Sequence, residues 1–564
     1  MHTTPQNTKV LVIASSVDFF AGHDGKFANR NLIRTQLVDQ SISYTGFTTN
    51  ICTGALNHLH CVPTNLIVDS QSLKLRLPLA TDRKHPAFWE SLLQHNIHTC
   101  AIDWPASDGD QSIENLVEPR SIRKTPIDGN PDLDFANASS LLSDQDIHSP
   151  KYQNSCIDLA VAIHNIEKAI THTKSTSACE VTALSLPVKL DATLPGSPSR
   201  EYVKEKLEAL AYSLSEDTVI LFAAYERPEE HAPKSGTTEK SKNPHSQRTL
   251  TIIGGNQNPN QVKNSVSIRA ISSVIHALCG VPTPIGSLQH SWPFLSTTKS
   301  TKEALFPPSS NIQDDYKDIT LRLLETKPTD DSSNESKRSY IRTCHIHSKR
   351  IHSLLLSAHY ALAFKESIEL SETLIAFRGL PIDHWLHIQA SYAINTADFC
   401  TACDTFHTAY PDNPMAQLSM ALKYVSTNKD TSAELLDTID PDTLHPASIG
   451  EYGRLLIQLN KVDAGIIQLQ KIIGTRHTLP IDYFKLTKAL LHTGSPESAL
   501  SIFTRFNIGM KPIKKQLLHA EILFSLNELE QCIQVCENVL AASPTEEKAL
   551  DHIAKCRARL SHPE

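Results

Sequence analysis

The chain has 564 residues, 40% of them hydrophobic and 20% charged. At roughly 100–200 residues per domain it holds several domain-sized units, and this composition excludes wholesale disorder. Lys and Arg number 53 against 61 Asp and Glu, a formal charge of −8, which argues against a general nucleic-acid binder because phosphate contacts need a basic surface. Taken in order, short β-like runs lie at Lys9–Ala14, Thr99–Ile102, Val181–Leu186, Thr218–Ala223 and Leu250–Ile253. Each is rich in Val, Ile, Leu or Thr and borders turn or polar residues. Helical patterns fall between them, at Lys84–His95, Ser155–Thr171, Ser199–Ser213 and Ile268–Leu278. The alternation predicts an α/β domain with a largely parallel sheet over residues 1–300. Asp108–Asn154 reads as a polar insertion or lid and Pro228–Gln247 as a charged loop. The first apolar run, Val10–Val17, is far short of the ~18 residues of a membrane span and reads as a strand. Twelve Cys at irregular spacing, with no export signal, predict reduced thiols and a cytoplasmic location.

Residues 301–338 hold a short helix, about Asn311–Leu324, and a polar linker, 326–338. From 339 to 564 the pattern is helical throughout. Small residues recur at Ser367, Ala402, Ala433, Ala464, Ala499 and Cys532, in steps of 35, 31, 31, 35 and 33. Prolines follow each of them, at Pro381, Pro414, Pro446, Pro480, Pro512 and Pro544. A small residue lets two antiparallel helices approach, and a proline punctuates the units. Ala402–Phe406 and Ala499–Phe503 both read A-x3-F. The period and these motifs resemble the tetratricopeptide repeat, with a terminal capping helix over 545–560 whose Lys548, Lys555, Arg557 and Arg559 suit a solvated face. That resemblance implies a groove for a protein or peptide partner.

The first half resembles the alkaline-phosphatase-like superfamily, in its type I phosphodiesterase and nucleotide pyrophosphatase branch. The stretches that carry the likeness are Lys9–Ala14, then Thr53-Gly54 with His60, then Ala87–Leu93 with Ala101-Ile-Asp-Trp-Pro105. Asp217–Phe222, Leu250–Gly255 and Ala277-Leu-Cys-Gly-Val-Pro282 follow in the same order. The resemblance implies two divalent metal ions, of the zinc type, and a Thr or Ser nucleophile attacking a phosphoryl group in line. The residues depart from that pattern. The first metal-binding Asp falls at Ser16, with Asp18 two residues further along, ~6–7 Å on a strand. The nucleophile falls at Tyr44, with Thr45 beside it. A Ser-Asp-His triplet reads Ala223-Ala224-Tyr225, and a late Asp reads Arg269. Asp191 and His245 alone match metal-ligand positions, and two donors are fewer than a divalent ion needs. The D-x3-H partner of Asp191 has become Pro195.

Loss of even one preorganised electrostatic contact costs ~10²–10³ in rate. The expectation is therefore a catalytically inactive phosphodiesterase-like domain, with no cofactor, joined to repeats that make the protein a scaffold or adaptor. The rival expectation is a metal-dependent phosphodiesterase or phosphatase rebuilt on Asp18, Asp191, His245 and Thr45. A sulfatase- or transferase-like activity needs the same residues and meets the same objection. Cys344, His345, His347 and His352 lie close in sequence but lack paired C-x2-C spacing. Cys400-x2-Cys403 sits inside a predicted repeat helix and reads as packing, without a redox role.

Overall fold

The computed structural model describes residues 9–15, 19, 26–27, 30–38, 44–55, 57–105, 107, 114–117, 159–170, 181–186, 198–214, 218–225, 248–253, 265–281, 315–329, 332–475, 477–505 and 512–561. By its contacts the chain forms two compact units, Met1–Ser357 and Ala358–Glu564.

In the first unit the strands are β1 Val10–Ser15, β2 Lys26–Phe27, β3 Arg30–Val38, β4 Ile67–Val68, β5 Leu75–Arg76, β6 Thr99–Ile102, β7 Glu114–Val117, β8 Val181–Leu186, β9 Val219–Tyr225, β10 Arg248–Ile253 and β11 Ser265–Ser267. The main sheet runs β11-β3-β10-β9-β1-β8-β6-β7, and β4 pairs only with β5. β1 lies parallel to both β8 and β9, and β6 is parallel to β8 and β7. β10 runs antiparallel to β9 and β3, so the sheet is mixed around a parallel centre.

Burial on both faces explains the unbroken apolar run of β1. Its Val10, Val12 and Ala14 join one core, and Leu11 and Ile13 join the other. The first core is covered by helices α1 Tyr44–Thr53 and α3 Phe88–Leu93, with α2 Asn57–His60 between them in the chain and Phe47, Phe88 and Trp89 inside the core. The second is covered by α4, residues 159–170, and α5 Pro198–Ser213. Helix α6 Ala270–Leu278 returns to the first face through Ile271, Val274 and Ile275. Of the two polar stretches expected to interrupt the sheet, the first contributes β7, and the remainder of both lies outside the described residues.

Two further helices are α7 Asp315–Glu325 and α8 Asn334–Tyr360. The segment read as a linker thus already holds the start of α8. The Arg350 guanidinium donates to the Cys61 carbonyl (3.2 Å), His58 Nδ1 meets Ser357 Oγ (3.1 Å), and Thr320 Oγ1 meets His347 Nε2 (2.9 Å).

The second unit is an array of antiparallel helix pairs. After the end of α8 come α9 Phe364–Phe377, α10 Pro381–Ala393, α11 Phe399–Ala409, α12 Pro414–Tyr424, α13 Lys429–Asp437, α14 Pro446–Gln458, α15 Val462–Ile472, α16 Pro480–His492, α17 Pro496–Arg505, α18 Pro512–Ser525, α19 Leu529–Ala542 and α20 Glu547–Ser561. Pro381, Pro414, Pro446, Pro480 and Pro512 open helices rather than close them. A proline suits the first helical position, where its fixed φ is helical and its missing N–H has no intrahelical partner to lose.

The turn inside each pair repeats too. Leu362, Asn395, Asn460, Gly494 and Asn527 all have positive φ. After each, the next N–H bonds back to the helix: Ala363 to the Ala358 carbonyl, Thr396 to Ser391, Lys461 to Leu456, Ser495 to Leu490 and Glu528 to Leu523, all within 2.8–3.0 Å. Such left-handed caps satisfy the last carbonyls of a helix. The α12–α13 connection differs, with Asn428 capping α13 from outside (3.2 Å to the Thr431 N–H).

The small-residue register needs correction at three places. The buried positions are Ser367, Cys403, Ser432, Gly465, Ala499 and Cys532, so the expected Ala402, Ala433 and Ala464 are each one residue off. Both neighbours are small in every case, so size alone did not set the helical phase. Close approach is real at these sites. Ser432 Oγ donates to the Ala421 carbonyl (2.8 Å) and Cys532 Sγ to the Ala520 carbonyl (3.2 Å). A Cβ on Gly465 would lie 2.5 Å from Ile457 Cγ1 and 2.8 Å from the Gly453 carbonyl.

Candidate functional site

In an open α/β sheet, ligands bind beyond the carboxyl ends of the parallel strands. Here β1, β6, β8 and β9 end at Ser15, Ile102, Leu186 and Tyr225. Helix α1 packs at that edge, with the Phe47 and Tyr225 rings 5.1 Å apart. Its first turn is pinned. A Cβ on Gly46 would meet the Pro63 carbonyl oxygen at 2.8 Å, so only glycine permits this approach. The Thr45 N–H donates to Asn65 Oδ1 (3.1 Å), and the Thr48 and Thr49 hydroxyls donate to the Thr45 carbonyl (2.9 and 2.7 Å). Thr45 is itself buried.

His60 is a satisfied core histidine. Its Nδ1 accepts the Val62 N–H (3.0 Å), which leaves Nε2–H to donate to Asn50 Oδ1 (2.8 Å). Burial, aided by His85, His58 and Arg83, holds its pKa well below the usual imidazole value, so the ring is neutral. Just past β6, Asp103 is buried with a positive φ of 53° and accepts from Asn165 Nδ2 (3.1 Å). Sequence reading missed this carboxylate, whose signal was an acid between a buried strand and Trp104-Pro105.

Of the residues expected at a metal site, Ser16, Asp18, Asp191 and His245 lie outside the described residues. Thr45 sits in the first turn of α1, and Arg269 precedes α6 as its N-cap. Ala223, Ala224 and Tyr225 are buried within β9. Tyr225, expected from the resemblance at an imidazole position, packs on Phe47. Two alanines, a tyrosine and an arginine offer no carboxylate or imidazole to a divalent cation. Among the described residues no group of three or more His, Cys, Asp and Glu is placed to hold a metal ion. The cluster near Cys344 is dispersed, since His347 is buried against Thr320 while His345 is exposed. Burial pushes the Cys403 thiol up to about 12, unlike a redox-active thiolate.

The array carries the other dense polar cluster. Arg454 pairs with both Glu451 and Asp482 in a buried triad. Asp482 also accepts the Leu479 N–H (2.6 Å), capping α16. Lys488 pairs with Glu521 on α18. Arg454 and Lys488 are therefore engaged within the array and do not present a free repeated cation. The signal for the capping device was readable: Leu-Pro-Ile-Asp occurs at 380–383 and again at 479–482. The charged face of α20 is as expected, with Lys548, Lys555, Arg557 and Arg559 exposed.

No protein-family model and no curated protein match the chain. Solved structures similar to parts of it include the Cut9–Hcn1 hetero-tetramer of the APC/C, at 12% identity and a TM-score of 0.30, covering 44% of this chain and 51% of that one. This chain thus spans about half the length of that match. A tetratricopeptide repeat protein from Parabacteroides merdae matches at 11% identity and 0.24, over 42% of this chain and 98% of that one. Murine ectonucleotide pyrophosphatase/phosphodiesterase 5 matches at 11% identity and 0.31, over 50% and 97%. Superpositions this loose fix neither an activity nor a partner for this chain. Among the described residues no helix is long and apolar enough to cross a membrane.

Proposed function

We propose that the protein is a non-enzymatic adaptor. Its tetratricopeptide-like array docks a protein or peptide partner, and its first unit is a degenerate, catalytically inactive phosphodiesterase-like domain that serves as a scaffold or second surface. The observation that supports the reading is β9, where Ala223, Ala224 and a Phe47-packed Tyr225 are buried at the positions for which the resemblance implies metal ligands. The Thr45 N–H in the first turn of α1 is already given to Asn65. No metal cofactor is expected, and the ten described cysteines, all free thiols, suit a reducing cytoplasm.

The test is metal content of the full chain together with turnover of bis(4-nitrophenyl) phosphate. The expected result is substoichiometric metal and no turnover above buffer. About two zinc ions per chain, with activity abolished by Asp191→Ala, would establish the rival hydrolase built on Asp18, Asp191, His245 and Thr45.

A further inference from the structure

In an open solenoid each unit touches only its neighbours. Two contacts in the array break that rule. Trp385 Nε1 on α10 donates to the Ala447 carbonyl on α14 (3.2 Å), across 62 residues. The Tyr360 hydroxyl, at the end of α8, meets His477 Nδ1 just before α16 (2.8 Å), across 117 residues. The two rings stack edge to face at 5.8 Å, and the His477 ring in turn lies 5.9 Å from that of His445. His359, fully buried beside Tyr360, lies within electrostatic reach of Arg454 on α14 and faces Gln389 on α10.

The last turn of α8 therefore sits against α10 and the segment leading into α16. We propose that this turn is an occupant in cis: His359 and Tyr360 cover a face of the array, and the Tyr360–His477 hydrogen bond is the latch that keeps it covered. A partner that docks on this face displaces the turn. The proposal rests on the docking reading of the array only for its consequence, not for the latch itself.

Tyr360→Phe removes the hydroxyl and keeps the ring. In the full chain, amide exchange over 355–364 and 474–482 is expected to rise about threefold to tenfold, the effect of losing one hydrogen bond. Carbethoxylation of His477 by diethyl pyrocarbonate rises in step, while exposed His492 and the exchange of 529–556 stay unchanged. Unchanged exchange in both segments, or a uniform rise across 358–561, overturns the latch. Neither readout needs a partner. If local exchange rises but neither wild type nor Tyr360→Phe retains any protein from a lysate, the docking reading fails and the latch stands. Equal retention by both forms, without a local rise in exchange, leaves docking and removes the latch.

Discussion

The tetrapeptide Leu-Pro-Ile-Asp opens α10 and α16 alike, yet its aspartate does different work in the two places. Both carboxylates are buried and both accept the N–H of the preceding Leu, at 3.3 Å for Asp383 and 2.6 Å for Asp482. Asp383 takes its cation from Arg378, five residues earlier, whose side chain is 23% exposed. Asp482 takes its cation from Arg454, 28 residues earlier on α14, with a side chain only 10% exposed and shared with Glu451. The first pair fixes where a helix starts. The second also fixes how one repeat sits on the next, and it leaves a buried charge stranded if broken. The same four letters thus serve as a local cap or as a clasp between units, depending on the origin of the arginine.

The largest test of that contrast is direct. Arg454→Ala should cost ~3–5 kcal/mol, because it strands the buried carboxylates of Glu451 and Asp482. Asp383→Ala should cost ~1–2 kcal/mol, the loss of a cap whose partner can turn to water. Urea unfolding of each variant reads both, and equal losses would break the distinction. Next, Gly465→Ala forces a methyl into the α14–α15 contact within one helical turn of Arg454, and overpacking of this kind costs ~1–3 kcal/mol. If the clasp transmits strain, exchange should also rise in 479–486 while 381–390 stays protected.

Acid offers a third comparison. Burial pushes His359 down to about 4, with Arg454 adding to the shift, whereas burial lowers His384 against the opposing pull of neighbouring Asp383. A folded-state pKa below the unfolded value near 6.5 means the unfolded chain takes up the proton first. The stability from neutral His359 is complete above pH 6.5 and is lost as pH falls toward 4. At pH 5.5 the loss should be ~1 kcal/mol, read as a lower urea midpoint than at pH 7.5. His359→Gln should show a smaller shift between the two pH values, and an identical shift would remove His359 as the cause. The smallest effect concerns Leu362, which holds a left-handed turn that Asn or Gly holds in the sister units. Leu362→Gly should stabilise by ~0.5–1 kcal/mol, the relief of strain less glycine's entropy, measured by thermal melting.

Much of this architecture was visible in the letters. β6 and β8 match their expected spans, and β1, β9 and β10 lie within a few residues of theirs, because each is a compact apolar run. Helix α1 was not readable. Its Thr48, Thr49 and Thr53 favour strand, and the helix stands because their hydroxyls bond back to Thr45 and Thr49 carbonyls inside a core. β3 carries two arginines that hide its alternation. The direction of β10 depends on pairing partners far away in the chain. At the sheet edge, the absence of carboxylate and imidazole at Ala223, Ala224 and Tyr225 was legible from residue identity. The burial of Asp103 and the reach of Tyr360 to His477 were not, since both are set by tertiary distance.

The matched turns at Asn460 and Gly494 have a consequence for how such a chain can change length. Each ends its helix in the same backbone shape and hands on to the next through the same pair of main-chain bonds. Deleting the block 461–494 would join Asn460 to Ser495 without altering the path of the polypeptide at the splice. Deleting a single residue inside either helix would rotate every side chain beyond it by ~100°. The array can therefore shrink or grow in whole modules far more cheaply than by single codons.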